Sequence, residues 1–357
     1  MILSISTKNK LLEVIQKGIP LCERPFEEIG SRLGLSESEI IKKIGDLKKK
    51  KIIREVCGIF DARRLGYTST LVAMAVEKSK IKKATTLINS HPGVSHNYIR
   101  NNYFNLWFTI VAESEKMLHK TILKLVELID VEKYMVLPTI KEFKINVIFD
   151  LLNEYSLLVE ESDSETNCDD IVSSENTHCL SSEENYRSPK FKLSDLDKHI
   201  IVALQRSLPI IKKPFNKIAS KVSISTSKLF DKIKLYKDNN LMRRYSAILY
   251  HKNIGIKANA MTVWDVDDKD IDCIGGKLAS YKNITHCYQR PRFSDWNYSI
   301  YTMIHSKSKE DAKILINELA NNIGINKFQI LFSTKELKKK RVKLFTDDFK
   351  KWNEQYL

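Results

Sequence analysis

His96, Tyr98 and Arg100 stand at i, i+2 and i+4 in the run His96-Asn97-Tyr98-Ile99-Arg100, which leads into Tyr103-Phe104-Asn105-Leu106-Trp107-Phe108-Thr109. In an extended strand these three side chains share one face, because side chains alternate with period two. An imidazole in such a set holds or releases a proton near neutrality. A guanidinium pairs a carboxylate through two hydrogen bonds. A phenol hydrogen-bonds a carboxylate or packs against a ring edge. The set returns as His286-Cys287-Tyr288-Gln289-Arg290, followed by Trp296-Asn297-Tyr298-Ser299-Ile300-Tyr301-Thr302. A lone histidine on a strand is ordinarily a satisfied structural residue. A histidine repeated with the same Tyr and Arg points instead to carboxylate recognition joined to proton transfer. His91, His199 and His251 have no repeat partner and are assigned no role.

The elements that must carry these strands also occur twice. Pro25-Phe26-Glu27-Glu28-Ile29-Gly30 matches Pro214-Phe215-Asn216-Lys217-Ile218-Ala219 at an offset of 189, and Arg54 matches Arg243 and Gly66 matches Gly255 at the same offset. His96 and His286 are 190 apart, while Leu137, Lys141, Glu142 and Lys144 match Leu331, Lys335, Glu336 and Lys338 at 194. A four-residue insertion around Pro291 to Asn297 accounts for the late change, so the chain is an internal duplication.

Within each copy, a helix, a short turn and a second helix come first. In the first copy Ser36 with Glu39 forms a capping box opening the second of these helices, and Ile40, Ile41, Ile44 and Leu47 mark its buried side. Lys51 to Val56 reads as a wing strand. Then follow Thr68–Val76 (strand), Ile81–Ser90 (helix), a hairpin of Val94–Tyr103 and Asn105–Ala112, Glu115–Ile129 (helix) and a last strand from Tyr134. The order βαββαβ predicts a ferredoxin-like sandwich, so the fold class is α+β, a tandem winged helix-turn-helix plus ferredoxin-like unit. The expected domains are 1–60 and 190–248 (helix-turn-helix) and 61–155 and 249–357 (ferredoxin-like). A Ser-, Asp-, Glu- and Asn-rich stretch, 156–189, reads as a flexible acidic linker.

The net charge of +15 calls for an anionic partner, nucleic acid or a small polyanion such as a tetrapyrrole with many carboxylates. No apolar run approaches a membrane span and no signal-peptide pattern opens the chain, which points to the cytoplasm and away from a membrane. The six cysteines show no CxxC; Cys168, His178 and Cys179 lie in the low-complexity stretch and are not read as a metal site.

The helix-turn-helix joined to a ferredoxin-like domain resembles the Lrp/AsnC regulators. More specifically, RPFEEIGSRLGLSESEI, LGYTSTLVAM, PGVSHNYIR and YFNLWFT are similar to the first subunit of the siroheme decarboxylase family. RYSAILYHKNIGIKANAMTVWDV, HCYQRP, YTMIHS and STKELKKKRVKLF are similar to its second subunit. The resemblance implies a fused, intramolecular pseudo-dimer and a carboxy-lyase. Its substrate would be siroheme, losing CO2 from the C12 and C18 acetates to give 12,18-didecarboxysiroheme on the way to haem or haem d1. It also leads to an expected asparagine where Ser299 stands opposite Asn105.

Loss of CO2 from such an acetate leaves electron density that the macrocycle delocalises. No cofactor beyond the iron-tetrapyrrole substrate is then expected, and no metal of the protein's own. His96 and His286 are the candidate proton donors, either being an alternative axial ligand to the substrate iron. Tyr98, Arg100, Tyr288 and Arg290 are candidate substrate contacts, with the arginines as anchors for non-reacting carboxylates, since tight pairing of the reacting one would oppose reaction. Asn105, Trp107, Lys141, Lys144, Lys335 and Lys338 complete the candidate substrate-binding set. The ordinary reading of Trp107 is sheet core, and that of the lysines a solvated face. The two sheets are expected to face each other around a tetrapyrrole-sized cleft. The rival from another class is a tetrapyrrole-responsive transcriptional regulator. DNA binding is not expected, because Glu37 and Glu39 sit where phosphate contacts of the first recognition helix would lie.

Overall fold

The computed structural model describes residues 5–145, 191–250 and 258–357. The stretch read as a linker, with Cys168, His178 and Cys179, lies outside them, as does Gly255.

The first half opens with α1 (Ile5–Lys17), α2 (Pro25–Leu33) and α3 (Glu37–Lys49). Proline at the first turn of α2 loses no hydrogen bond there, and Gly34 closes the helix at φ 65°, a conformation open to glycine. The Ser36–Glu39 capping box opens α3. Then come β1 (Ile53–Phe60), β2 (Thr68–Ala75), α4 (Ile81–Ser90), β3 (Val94–Arg100), β4 (Leu106–Ala112) and α5 (Glu115–Ile129). The final strand is split into β5 (Lys133–Pro138) and β6 (Lys141–Ile145). The second half repeats this as α6 (Asp195–Leu204), α7 (Pro214–Lys221), α8 (Thr226–Asp238), β7 (Met242–Leu249), β8 (Ala258–Trp264), α9 (Ile271–Ser280), β9 (Ile284–Gln289), β10 (Ile300–Ser306), α10 (Lys309–Ile323) and β11 (Phe328–Lys339). A further helix, α11 (Asp348–Tyr356), was not foreseen.

The halves are interlocked rather than merely docked. Strands β1 and β7 pair with each other, Cys57 facing its repeat equivalent Ser246, so the two wings form one ribbon on the pseudo-two-fold axis. The other strands follow the order β5-β2-β4-β3-β11-β8-β10-β9-β6. Residues 328–332 of β11 pair with β8 of their own half, and 333–339 continue onto β3 of the first half. β5 and β6 do the reciprocal, pairing with β2 and then β9. β5 and β6 are separated only by Thr139 and Ile140, so the two ends of this order are consecutive in the chain.

Helices cover the outer faces, and the helix-free faces pack on one another through Trp107, Met135, Leu137, Met261, Trp296, Tyr301 and Leu331. The expected open cleft between facing sheets is therefore filled at this level. The reason lies in the insertion: Trp296, 5% exposed, projects between the sheets against Phe104 and Trp107 and donates to the Tyr301 hydroxyl. Farther along β4 the same face passes through Thr109 to Val111, which joins the core of the helix-turn-helix layer. The polar part of the inter-sheet face lies at that end. Among the described residues no helix is long and apolar enough to cross a membrane.

Candidate active site

The repeated strands are β3 and β9. In β3, His96 and Tyr98 are register partners of Thr109 and Trp107, while Asn97 and Ile99 turn toward the helices. In β9, His286 and Tyr288 partner Met303 and Tyr301, and Cys287 turns to the helix-side core. Each triad forms a ladder along the helix-free face. The His96 ring lies 6.1 Å from the Tyr98 ring, and the Arg100 guanidinium 5.6 Å from the same phenol. The corresponding distances are 6.0 Å for His286–Tyr288 and 5.0 Å for Arg290–Tyr288.

Both histidines are held from behind by the hydroxyl that precedes them. Ser95 Oγ lies 2.9 Å from His96 Nδ1, and Thr285 Oγ1 lies 3.0 Å from His286 Nδ1. Burial, reinforced by the charges of Lys339, Arg243 and Arg290, lowers the His286 pKa to about 4, so the ring is neutral at pH 7. Burial and the carboxylates of Glu336 and Glu142 raise the pKa values of Tyr98 and Tyr288 respectively, keeping both as phenols.

Lys339 ties the two ladders together. It is the register partner of His96, and its charge acts on His286. The charge of Lys339, which sits on the strand beside one ladder, thus acts on the histidine of the other. Further cations come from the β1–β7 ribbon and its flank, with Arg54 acting on Tyr98 and Arg63 and Arg243 acting on Tyr288. The second ladder carries a charge network that fixes its cations. Arg243 Nη2 donates to Asp61 Oδ2 at 2.7 Å, and Arg63 Nη2 to Glu142 Oε2 at 3.1 Å. Tyr250 occupies the repeat position of Asp61, so that carboxylate is not repeated, whereas Glu336 repeats Glu142 and acts on Tyr98 together with Arg54.

A separate groove of about 370 Å³ lies in the second helix-turn-helix, lined by His199, Arg206, Lys217 and Lys221 among others. These four are exposed side chains, and the groove contains none of the repeated triad.

Models of known families match the chain twice over. An AsnC-like ligand binding domain matches residues 64–144 and 253–338, and a siroheme decarboxylase NirDL-like HTH domain matches 8–54 and 197–243. The siroheme decarboxylase of Hydrogenobacter thermophilus is 34% identical over 345 residues, 96% of each chain. The chain belongs to the siroheme decarboxylase family. The siroheme decarboxylase beta subunit of Methanosarcina barkeri is 37% identical over 148 residues, 42% of this chain and 97% of that one. The crystal structure of the siroheme decarboxylase NirDL in co-complex with an iron-uroporphyrin III analogue covers 98% of both chains, with a TM-score of 0.73 and 29% identity. Membership thus fits a chain that fuses what other members of the siroheme decarboxylase family divide between subunits.

Several residues expected to contact substrate are placed elsewhere. Lys338 Nζ donates to the carbonyls of Asn89 and His91, and Lys144 Nζ to that of Tyr281, so each caps the C-terminal end of a helix on the opposite sheet face. Lys141 pairs with Asp272 of α9, and Lys335 is an exposed register partner of Ile99. The Asn105 amide clasps the backbone of Val76 from both sides, at 2.7 and 3.0 Å. Ser299, where an asparagine was expected, makes half of that clasp through Oγ to Val266 O. Trp107 is 1% exposed, in the inter-sheet core.

Arg100 and Arg290 keep their place on the ladder but are not open carboxylate forks. Arg100 Nη1 donates to Leu331 O of β11, and Arg290 Nη1 to the equivalent Leu137 O of β5, so each half clamps the other's last strand. Their Nε atoms are buried without a hydrogen-bond partner among the described residues. Burial lowers the Arg100 pKa to about 10, still fully charged at neutral pH. The cations that sequence reasoning overlooked are Arg54, Arg63, Arg243 and Lys339. Arg54 and Arg243 carried a signal, their exact match at the 189 offset.

Proposed function

We propose that the chain removes CO2 from the C12 and C18 acetates of siroheme, giving 12,18-didecarboxysiroheme, with the region between the two ladders as the site. The observation that carries this reading is the His-Tyr-Arg ladder repeated on β3 and β9, with Lys339 register-paired to His96 and its charge acting on His286. It supplies paired imidazoles among cations, as an anionic macrocycle bearing two reactive acetates requires. Arg54, Arg243 and Lys339 hold carboxylates that do not react. A guanidinium seated firmly on the reacting carboxylate would stabilise the ground state and slow the reaction. The macrocycle accepts the electron pair left on the methylene carbon, and a histidine supplies the replacing proton, a contribution of typically about 10² to 10⁴ in rate.

The helix-turn-helix units are structural in this reading. Glu37 is buried and paired with Arg24 at 2.6 Å, Glu39 is consumed by the capping box, and both wings are spent on pairing with each other. A wing paired to its counterpart is unavailable to a duplex. The deciding experiment is an anaerobic incubation of purified protein with siroheme, analysed by mass. Two successive losses of CO2 are expected, and unchanged siroheme would reject the assignment.

A further inference from the structure

The groove between α6 and α7 has lost what neutralises its counterpart in the first half. The register there is secure, since Gln205 and Pro209 repeat Gln16 and Pro20 at the offset of 189. At that offset Arg206 and Lys221 match Lys17 and Arg32, so two cations are kept in kind. In the first copy each of them has a carboxylate of its own. Lys17 pairs with Glu13 at 2.6 Å, and Arg32 pairs with Glu28. Val202 and Lys217 stand where those two carboxylates would be. One replacement removes a negative charge and the other reverses it. Arg206, Lys217 and Lys221 are exposed and make no ion pair among the described residues.

Between these cations the floor is apolar, formed by Leu196, Val202, Ala203, Pro209, Ile218 and Val222. A cationic rim over such a floor suits a ligand with carboxylates on its edge and a hydrocarbon body. It suits a sugar-phosphate chain poorly, because the floor gives polar groups nothing to bond. A volume of about 370 Å³ is that of a small-molecule pocket. At 10 and 8 residues, α6 and α7 are only about 15 and 12 Å long, a short trough for a docked peptide helix. We propose that this groove is a second tetrapyrrole site. It takes one carboxylate-bearing edge of the macrocycle against its apolar floor, with Arg206, Lys217 and Lys221 on the carboxylates. The choice of ligand rests on the reading of siroheme as substrate.

The groove holds the macrocycle and performs no chemistry on it, since it contains none of the repeated triad. Exposed ion pairs are individually weak and screened by salt. Binding here should therefore be weaker than between the ladders and should fall as ionic strength rises.

The test is a fluorescence titration of the full chain with iron-free uroporphyrin III, at low and at physiological ionic strength. Wild type should bind two equivalents, the weaker one being the salt-sensitive one. Val202→Glu combined with Lys217→Glu restores the first copy's carboxylates beside Arg206 and Lys221, a set that the first half already folds around. This variant should weaken the second equivalent about tenfold or more. It should leave the first equivalent, and the rate of CO2 loss at saturating siroheme, unchanged. Lys82→Glu combined with Lys313→Gln removes the same charge from exposed positions on α4 and α10 and should keep both equivalents. A single equivalent in wild type, or equal losses in the two variants, would overturn the proposal. So would a poly-glutamate peptide that bound the groove as tightly as uroporphyrin, since charge alone would then be recognised. Two equivalents without CO2 release from siroheme would reject the decarboxylase reading and leave the groove as a tetrapyrrole site.

Discussion

His91 illustrates how a histidine outside the repeat is used. It is 1% exposed, packed edge-on against Trp352 and Phe349, and its Nδ1 accepts from the Gly93 backbone N–H at 3.0 Å. Burial, with the charge of Lys338, lowers its pKa to about 3. An unfolded histidine titrates near about 6.5, so between these values the unfolded chain binds the extra proton. The stability this group contributes is complete above about pH 6.5 and falls as pH drops, by up to about 1.4 kcal/mol per pH unit. His286, lowered to about 4, acts in the same direction. We expect the wild-type Tm to fall between pH 7.5 and pH 5, and that of His91→Asn, whose amide oxygen can replace the ring acceptor, to fall less. Parallel falls in both proteins would remove His91 as a cause. At this scale the sequence made the triads readable, because residue type and period two survive in any strand. The side that each lysine takes was not readable, because period two fails at a bulge. Register shifts between Glu142 and Lys144, and between Glu336 and Lys338, turn Lys144 and Lys338 to the helix side.

The elements themselves were legible wherever periodicity and caps agreed. Ile81–Ser90 and Glu115–Ile129 form with the bounds that their apolar spacing predicts. Their partners were not, because strand pairing is non-local and a βαββαβ order does not say which half a last strand joins. The missed α11 has a polar sequence with two apolar anchors, Phe349 and Trp352, that become meaningful only against the distant surfaces they bury. The exchanged strand β6 is fastened by Phe143, whose ring would lie 2.4 Å from a Cβ placed on Gly275 of α9. Glycine is needed there for close approach, its φ being unexceptional. Gly275→Val should therefore overpack the joint and cost about 1–3 kcal/mol. Adding Phe143→Ala should relieve part of that loss, so a double-mutant cycle by chemical denaturation should show coupling of at least about 0.5 kcal/mol. Strict additivity would mean that the two residues do not share the contact.

At the scale of the whole molecule, the duplication predicts two units, yet the packing makes one. The helix-turn-helix core is a single cluster in which Leu11, Ile15 and Ile44 of the first half and Ile200, Phe215 and Tyr245 of the second are buried together. The β1–β7 ribbon, the β3–β11 and β6–β9 pairings and the reciprocal arginine clamps all cross between halves. A half on its own would expose the edges of β3 and β9 and the apolar faces that carry Trp107 and Tyr301. Such surfaces favour aggregation over a folded monomer. The covalent link is a separate matter, since the beta subunit from Methanosarcina barkeri matches 42% of this chain as a protein of its own. Expressed separately, fragments 1–155 and 190–357 should thus fail to give cooperatively melting monomers. Expressed together, they should co-purify as one equimolar complex on gel filtration, with the intact chain's melting transition at a somewhat lower temperature. That reduction follows because two chains pay an association entropy that one chain does not. If either fragment alone melted cooperatively as a monomer, the interlock would be an ordinary interface between two independent domains.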